Sequence, residues 1–138
     1  MKRRTFLRKS ASAAFGFQVV SSHVLRAADG QNTPNNKIRK AAIGDGGRGG
    51  ANLGAMAGED IVALCDVDDR RAAHSFNKFP KAKRFKDFRK MYDAMGDQID
   101  AVLVATPDHT HAVAIMGAIG REKHVYSEKP LTHSIAEV

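Results

Sequence analysis

Gly44-x-Gly46-x-x-Gly49 stands directly behind a short apolar run at residues 38–43, and Asp66 ends the next apolar run, 22 positions after Gly44. Each glycine has a mechanical reason: Gly44 for a tight strand-to-helix turn, Gly46 for backbone approach to a pyrophosphate, Gly49 for close packing of helix on strand. Gly47 and Arg48 belong to the same turn, where a helix N-terminus presents unpaired N–H groups and a positive dipole end to phosphates. Asp66 lies near the ~20-residue spacing of a carboxylate that accepts ribose hydroxyls and repels a 2′-phosphate. NAD is therefore the expected cofactor. Arg70 and Arg71 leave NADP open, because a guanidinium binds phosphate or stacks on adenine, or simply faces solvent.

Lys129, between Glu128 and Pro130, follows another apolar run and could aim its ammonium at a hydroxyl or carbonyl beyond the strand end. Pro130 restricts its backbone, and Glu128 either holds the ammonium or forms a weak surface pair. An ordinary surface lysine fits the same residues. His109 and His111 open a helix beside Thr106-Pro107-Asp108 and could touch ribose or substrate, or lie on a helix surface. No cysteine or carboxylate cluster completes a ligand set around them, so no metal is expected.

The elements that must position these groups alternate strictly. Strands are expected at residues 38–43, 61–66, 83–85, 99–105 and 123–127, and helices at 48–57, 69–79, 87–95, 109–119 and from 134 onward. Apolar runs without alternating polarity, separated by helices, imply a parallel sheet covered on both faces, a doubly wound α/β fold. In such a sheet ligands bind beyond the carboxyl ends of the strands. The glycine turn, Asp66, Thr106-Pro107-Asp108 and Glu128-Lys129-Pro130 all fall at that edge. Asp108 could cap the helix after it. At Glu122, between helix and strand, a left-handed backbone would suit glycine better by about 1 kcal/mol.

The formal charge of +7 suggests nucleic acid, yet six of the 22 Lys and Arg residues precede the first acid, Asp29. From there on, 16 basic residues face 15 acidic ones. The basic excess thus belongs to the N-terminus, and no nucleic-acid partner is expected. Lys2-Arg3-Arg4-Thr5-Phe6-Leu7 and a Ser- and Ala-rich stretch to Val24 resemble a twin-arginine export signal over residues 1–28. That places the protein in the periplasm or otherwise outside, with membrane contact through the signal alone; whether the signal is cleaved is left open. Polar residues interrupt the stretch too often for a spanning helix. Residues 29–36 read as a linker, and 37–138 as the folded domain. A single cysteine, Cys65, sits in an expected buried strand and suits packing.

Four motifs together, the glycine turn, Cys65-Asp66-Val67-Asp68, Ala105-Thr106-Pro107-Asp108-His109-Thr110-His111 and His124-Val125-Tyr126-Ser127-Glu128-Lys129-Pro130-Leu131, resemble the N-terminal domain of the Gfo/Idh/MocA oxidoreductases. The resemblance implies a Rossmann domain that binds NAD or NADP for hydride transfer with a sugar, inositol or related polyol. It implies pyrophosphate binding by the glycine turn, ribose binding by Asp66, a nicotinamide-side turn at Thr106, Pro107 and His111, and Glu128 as a further cofactor-binding residue beside a catalytic Lys129. Asp108 stands where the family commonly has Asn, Asp45 puts a carboxylate into the phosphate turn, and Glu122 replaces a common glycine. The family's C-terminal α/β domain, which supplies substrate contacts, is missing from these 138 residues. The expected protein is thus a truncated nucleotide-binding portion, inactive alone, acting on substrate only when completed. The alternative is a non-catalytic exported nucleotide-binding protein or a non-functional fragment.

Overall fold

The computed structural model describes residues 37–138; the expected signal and linker, 1–28 and 29–36, lie outside the described residues. Five strands, β1 (Arg39–Ile43), β2 (Asp60–Cys65), β3 (Lys83–Phe85), β4 (Ala101–Val104) and β5 (His124–Ser127), form one sheet in the order β3-β2-β1-β4-β5. All four pairings are parallel. Between them run α1 (Arg48–Ala55), α2 (Asp69–Lys78), α3 (Phe88–Met95) and α4 (Asp108–Ile119). The chain moves outward in one direction through β2 and β3, then returns to place β4 on the other side of β1. The strand order therefore reverses between β1 and β4, the place where such sheets open a crevice.

Both faces of the sheet are covered, which is why residues 41–43, 61–65 and 101–104 run apolar without alternation. On one face α3 and α4 bury Met91, Tyr92, Met95, Ala114, Ile115 and Ala118 against Ile43, Cys65, Val102 and Val104. On the other α1 and α2 set Leu53, Ala72 and Phe76 on Ala42, Leu64 and Leu103. At the opposite, amino edge, Arg39 Nη2 meets Asp100 Oδ1 at 2.6 Å and joins the starts of β1 and β4.

Helix starts are set by acids that the spacing of apolar residues does not single out. Asp68 accepts from the N–H groups of Arg70 and Arg71, and Asp87 from that of Arg89, each satisfying first-turn donors. Asp108 does not play this part: it is the first residue of α4, and Pro107 precedes it with no side-chain cap. Its carboxylate instead meets the positive end of the helix dipole, while Thr110 Oγ1 donates to the Pro107 carbonyl at 2.8 Å. At the other end of α4, Glu122 adopts φ 58°, the left-handed turn considered from sequence. Lys123 N–H reaches Ala118 O and Glu122 N–H reaches Ile119 O, so the helix closes in a Schellman motif with Glu at the glycine position. The helix expected from residue 134 is a single 3₁₀ turn, Ile135–Glu137.

Candidate functional site

The turn after β1 is built by backbone crowding. Gly44 has φ +85°, and a Cβ there would lie 2.7 Å from the Ala105 carbonyl group at the tip of β4. A Cβ on Gly49 would overlap the Gly44 carbonyl oxygen, and one on Gly50 would come 2.8 Å from the Asp45 carbonyl oxygen. Helix α1 therefore rests directly on the loop that feeds it, and its glycines, poor helix formers in isolation, are required by that contact. Gly50 escaped the sequence reading, although the doubled glycine at 49–50 carried the signal. Gly46 is tightly packed: a Cβ there would stand 3.0 Å from Arg71 Cβ, which puts α2 against the loop. Gly47, with φ +53°, is the open position; among the described residues only Arg71 Nη2 comes within 4.0 Å of its added Cβ.

Asp66 ends up against this loop. Its Oδ2 accepts from the N–H groups of Asp45 (2.8 Å) and Gly46 (3.1 Å), and its Oδ1 from that of Asp68 (2.8 Å). A carboxylate offers about four acceptor positions, so one remains open. Asp66 thus shapes the glycine turn, a role that its spacing alone does not reveal.

Asp45 is the anomaly of the turn. Its side chain is only 1% exposed, and neither carboxyl oxygen has a hydrogen-bond partner within the described residues. Its backbone is held in place, since the N–H donates to Asp66 and the carbonyl accepts from Ser75 Oγ at 2.7 Å. Burial, and then the neighbouring Asp66 charge, push the Asp45 carboxyl up to about 8. At neutral pH it keeps its proton, so it adds no full negative charge where a diphosphate would sit. Burial, with Asp45 nearby, also raises the Cys65 thiol to about 12; Cys65 is a packed residue facing α3 and α4.

At the reversal, Thr106 Oγ1 is buried without a partner among the described residues, an orphan polar atom beside the Gly44 turn. An open Gly47, the orphaned Thr106 hydroxyl, the spare Asp66 acceptor position and the N-terminus of α1 fit a dinucleotide. His111 differs from expectation. It is turned inward at 1% exposure, with Nδ1 2.6 Å from the Pro130 carbonyl oxygen and Nε2 2.6 Å from that of Thr106. Both ring nitrogens are engaged by backbone, leaving none to reach a cofactor. His109 stays exposed on the first turn of α4.

Glu128 also turns away from the role considered for it. Its Oε1 accepts from Asn52 Nδ2 and lies 3.4 Å from Arg48 Nε, so it binds the tip of β5 to α1 rather than holding the Lys129 ammonium. These donors, Asn52 first, hold its carboxyl below the usual carboxylate range. Arg48, expected at the cofactor, faces Glu128 in the same contact. Lys129 is exposed, and the Lys129–Pro130 peptide bond is cis. Asn52 carries no sequence signal beyond lying one helical turn after Arg48.

A reversal of strand order with a glycine turn at β1 and an acid at β2 defines a dinucleotide-binding doubly wound α/β domain. Residues 38–138 match the Gfo/Idh/MocA family model, described as an oxidoreductase family with an NAD-binding Rossmann fold. The chain belongs to that family. It is 33% identical over 104 residues to an inositol 2-dehydrogenase of Rubrobacter xylanophilus, covering 72% of this chain and 29% of the relative. It is 33% identical over 121 residues to a glycosyl hydrolase family 109 protein of Solibacter usitatus, covering 75% of this chain and 26% of the relative. The solved myo-inositol dehydrogenase of Lactobacillus casei, in complex with NAD(H) and myo-inositol, superposes with a TM-score of 0.66 at 25% identity, covering 73% of this chain and 31% of that one. The WlbA dehydrogenase of Thermus thermophilus, in complex with NAD and alpha-ketoglutarate, gives 0.63 at 27% identity, covering 72% and 35%. The chain spans about three-tenths of the length of the curated relatives it matches.

Proposed function

We propose that residues 37–138 are the NAD-binding portion of an exported oxidoreductase that moves hydride between nicotinamide and a sugar, inositol or related polyol. The observation that carries this reading is the joining of three strand tips at the reversal: Gly44 against Ala105, and Asp45 and Gly46 on the Asp66 carboxylate. Bound there, the dinucleotide supplies a hydride acceptor or donor at nicotinamide C4. Gly47 and the N-terminus of α1 receive the diphosphate, Asp66 a ribose hydroxyl, and Thr106 Oγ1 gains a partner. Pro107 stiffens the turn that borders the nicotinamide side. Lys129, exposed at the β5 tip, offers an ammonium to the substrate hydroxyl or carbonyl and helps move its proton. The substrate stays at class level because the relatives' names range from inositol dehydrogenase to glycosyl hydrolase.

These 138 residues by themselves are proposed to bind cofactor without turnover, since Lys129 stands open to water and hydride transfer needs a shielded, oriented substrate. Titrating the purified chain into NADH and following cofactor fluorescence tests the reading. Binding is expected, with NADH preferred over NADPH and the preference relaxed in Asp66→Ala. No response at millimolar NADH would sink it. Export is proposed on the Lys2-to-Leu7 motif. Replacing Arg3 and Arg4 by lysine in the whole chain should retain it in the cytoplasm on fractionation, and unchanged export would remove that part.

A further inference from the structure

We propose that His111 and Asn52 are positioning residues that hold the Lys129 loop from two sides, a reading that rests on the site proposed above. Among the described residues β5 is the outer strand, four residues long and paired with β4. Lys129 lies past the last paired residue of β5, Ser127, so the strand pairing by itself does not fix where it stands. Two side chains make good that deficit without touching the ammonium. Asn52, from α1, donates to Glu128 immediately before Lys129; His111, from α4, reaches the Pro130 carbonyl immediately after it.

The other end of each contact gives the brace its meaning. Asn52 lies on the helix opened by the glycine turn, and the second nitrogen of His111 reaches Thr106 at the tip of β4. Lys129 is therefore referenced to both pieces of chain that border the crevice. Carbonyl oxygens only accept hydrogen bonds, and a neutral imidazole carries one N–H. With one ring nitrogen at each carbonyl, the imidazole spans the gap between the two loops.

Residue-resolved hydrogen exchange on the purified chain reads the loop with no ligand present. His111→Phe and Asn52→Leu are each expected to speed exchange of the Glu128 N–H, which donates to Val104 O, by roughly tenfold, with amides of β1 and β2 unchanged. His111→Gln, which restores an N–H donor, should recover part of that protection. With NADH added, the nitrogen resonance of the Lys129 ammonium should shift in the wild type and respond less in His111→Phe and Asn52→Leu. NADH affinity should stay within about twofold, because the glycine turn is untouched. Faster exchange throughout the sheet would mark an ordinary core residue and overturn the proposal, as would an unaltered Glu128 amide or an intact lysine response. Should the wild type itself ignore NADH, the cofactor reading fails, and the exchange measurements on the free chain still judge the brace.

Discussion

Asp45 shows how far a single residue can depart from its surroundings and still fit. An acid in a phosphate turn is expected to repel its ligand, but here burial keeps the carboxyl protonated up to about pH 8. Between the ordinary carboxylate range and about 8, the folded chain holds a proton that the unfolded chain has lost. Stability from this residue is therefore fully present below the ordinary carboxylate pKa and declines as pH rises through that window, at up to about 1.4 kcal/mol per pH unit. Asp45→Asn removes the titration. Calorimetry from pH 5 to 8 should show the wild type losing melting temperature relative to the variant, and parallel curves would show that the carboxyl is not held neutral. Asp66 acts through its contacts, accepting from three N–H groups. Asp66→Ala leaves those donors without it and should cost about 1–3 kcal/mol in urea unfolding, apart from any effect on cofactor.

At the scale of elements, α1 and α4 show opposite relations between glycine and structure. In α1 the glycines weaken the helix locally and are needed because the loop backbone lies against them. Gly49→Ala would drive its Cβ into the Gly44 carbonyl oxygen, whereas none of the described residues lies within 4 Å of a Cβ added at Gly58. Gly49→Ala is therefore expected to destabilise by several kcal/mol, and Gly58→Ala to change stability by less than about 1 kcal/mol, read from denaturation midpoints. At the end of α4 the missing glycine is the cost, since Glu122 occupies the left-handed position of the Schellman motif. Glu122→Gly should stabilise by about 1 kcal/mol, which corresponds to a rise of roughly 4–8 °C in melting temperature for a domain of this size. A fall in melting temperature would show that the Glu side chain earns its place through contacts of its own.

Over the whole of residues 37–138, two apolar layers on one sheet make the strand tips a single rigid edge. Leu53, fully buried under α1, helps hold that edge, and Leu53→Ala should cost about 2–5 kcal/mol and weaken NADH binding through the tilt of α1. Thermal unfolding and cofactor titration on the same preparation check both halves. Stability lost with unchanged affinity would separate the helix from the cofactor grip.

The period of the apolar runs determined the strands, the helices between them and the parallel sheet, because burial on both faces requires continuous apolar strands. Spacing also placed Gly44, Gly49 and Asp66 at one edge. What the tertiary structure alone decided is which partner each polar side chain takes there. Asp66 meets the glycine turn, His111 turns inward between two carbonyls, and Glu128 reaches Asn52, 76 positions earlier. Spacing along a chain reports which face of an element a residue occupies; the partner of a hydrogen bond depends on atoms brought within 3 Å by the packing of other elements, and no local pattern records that.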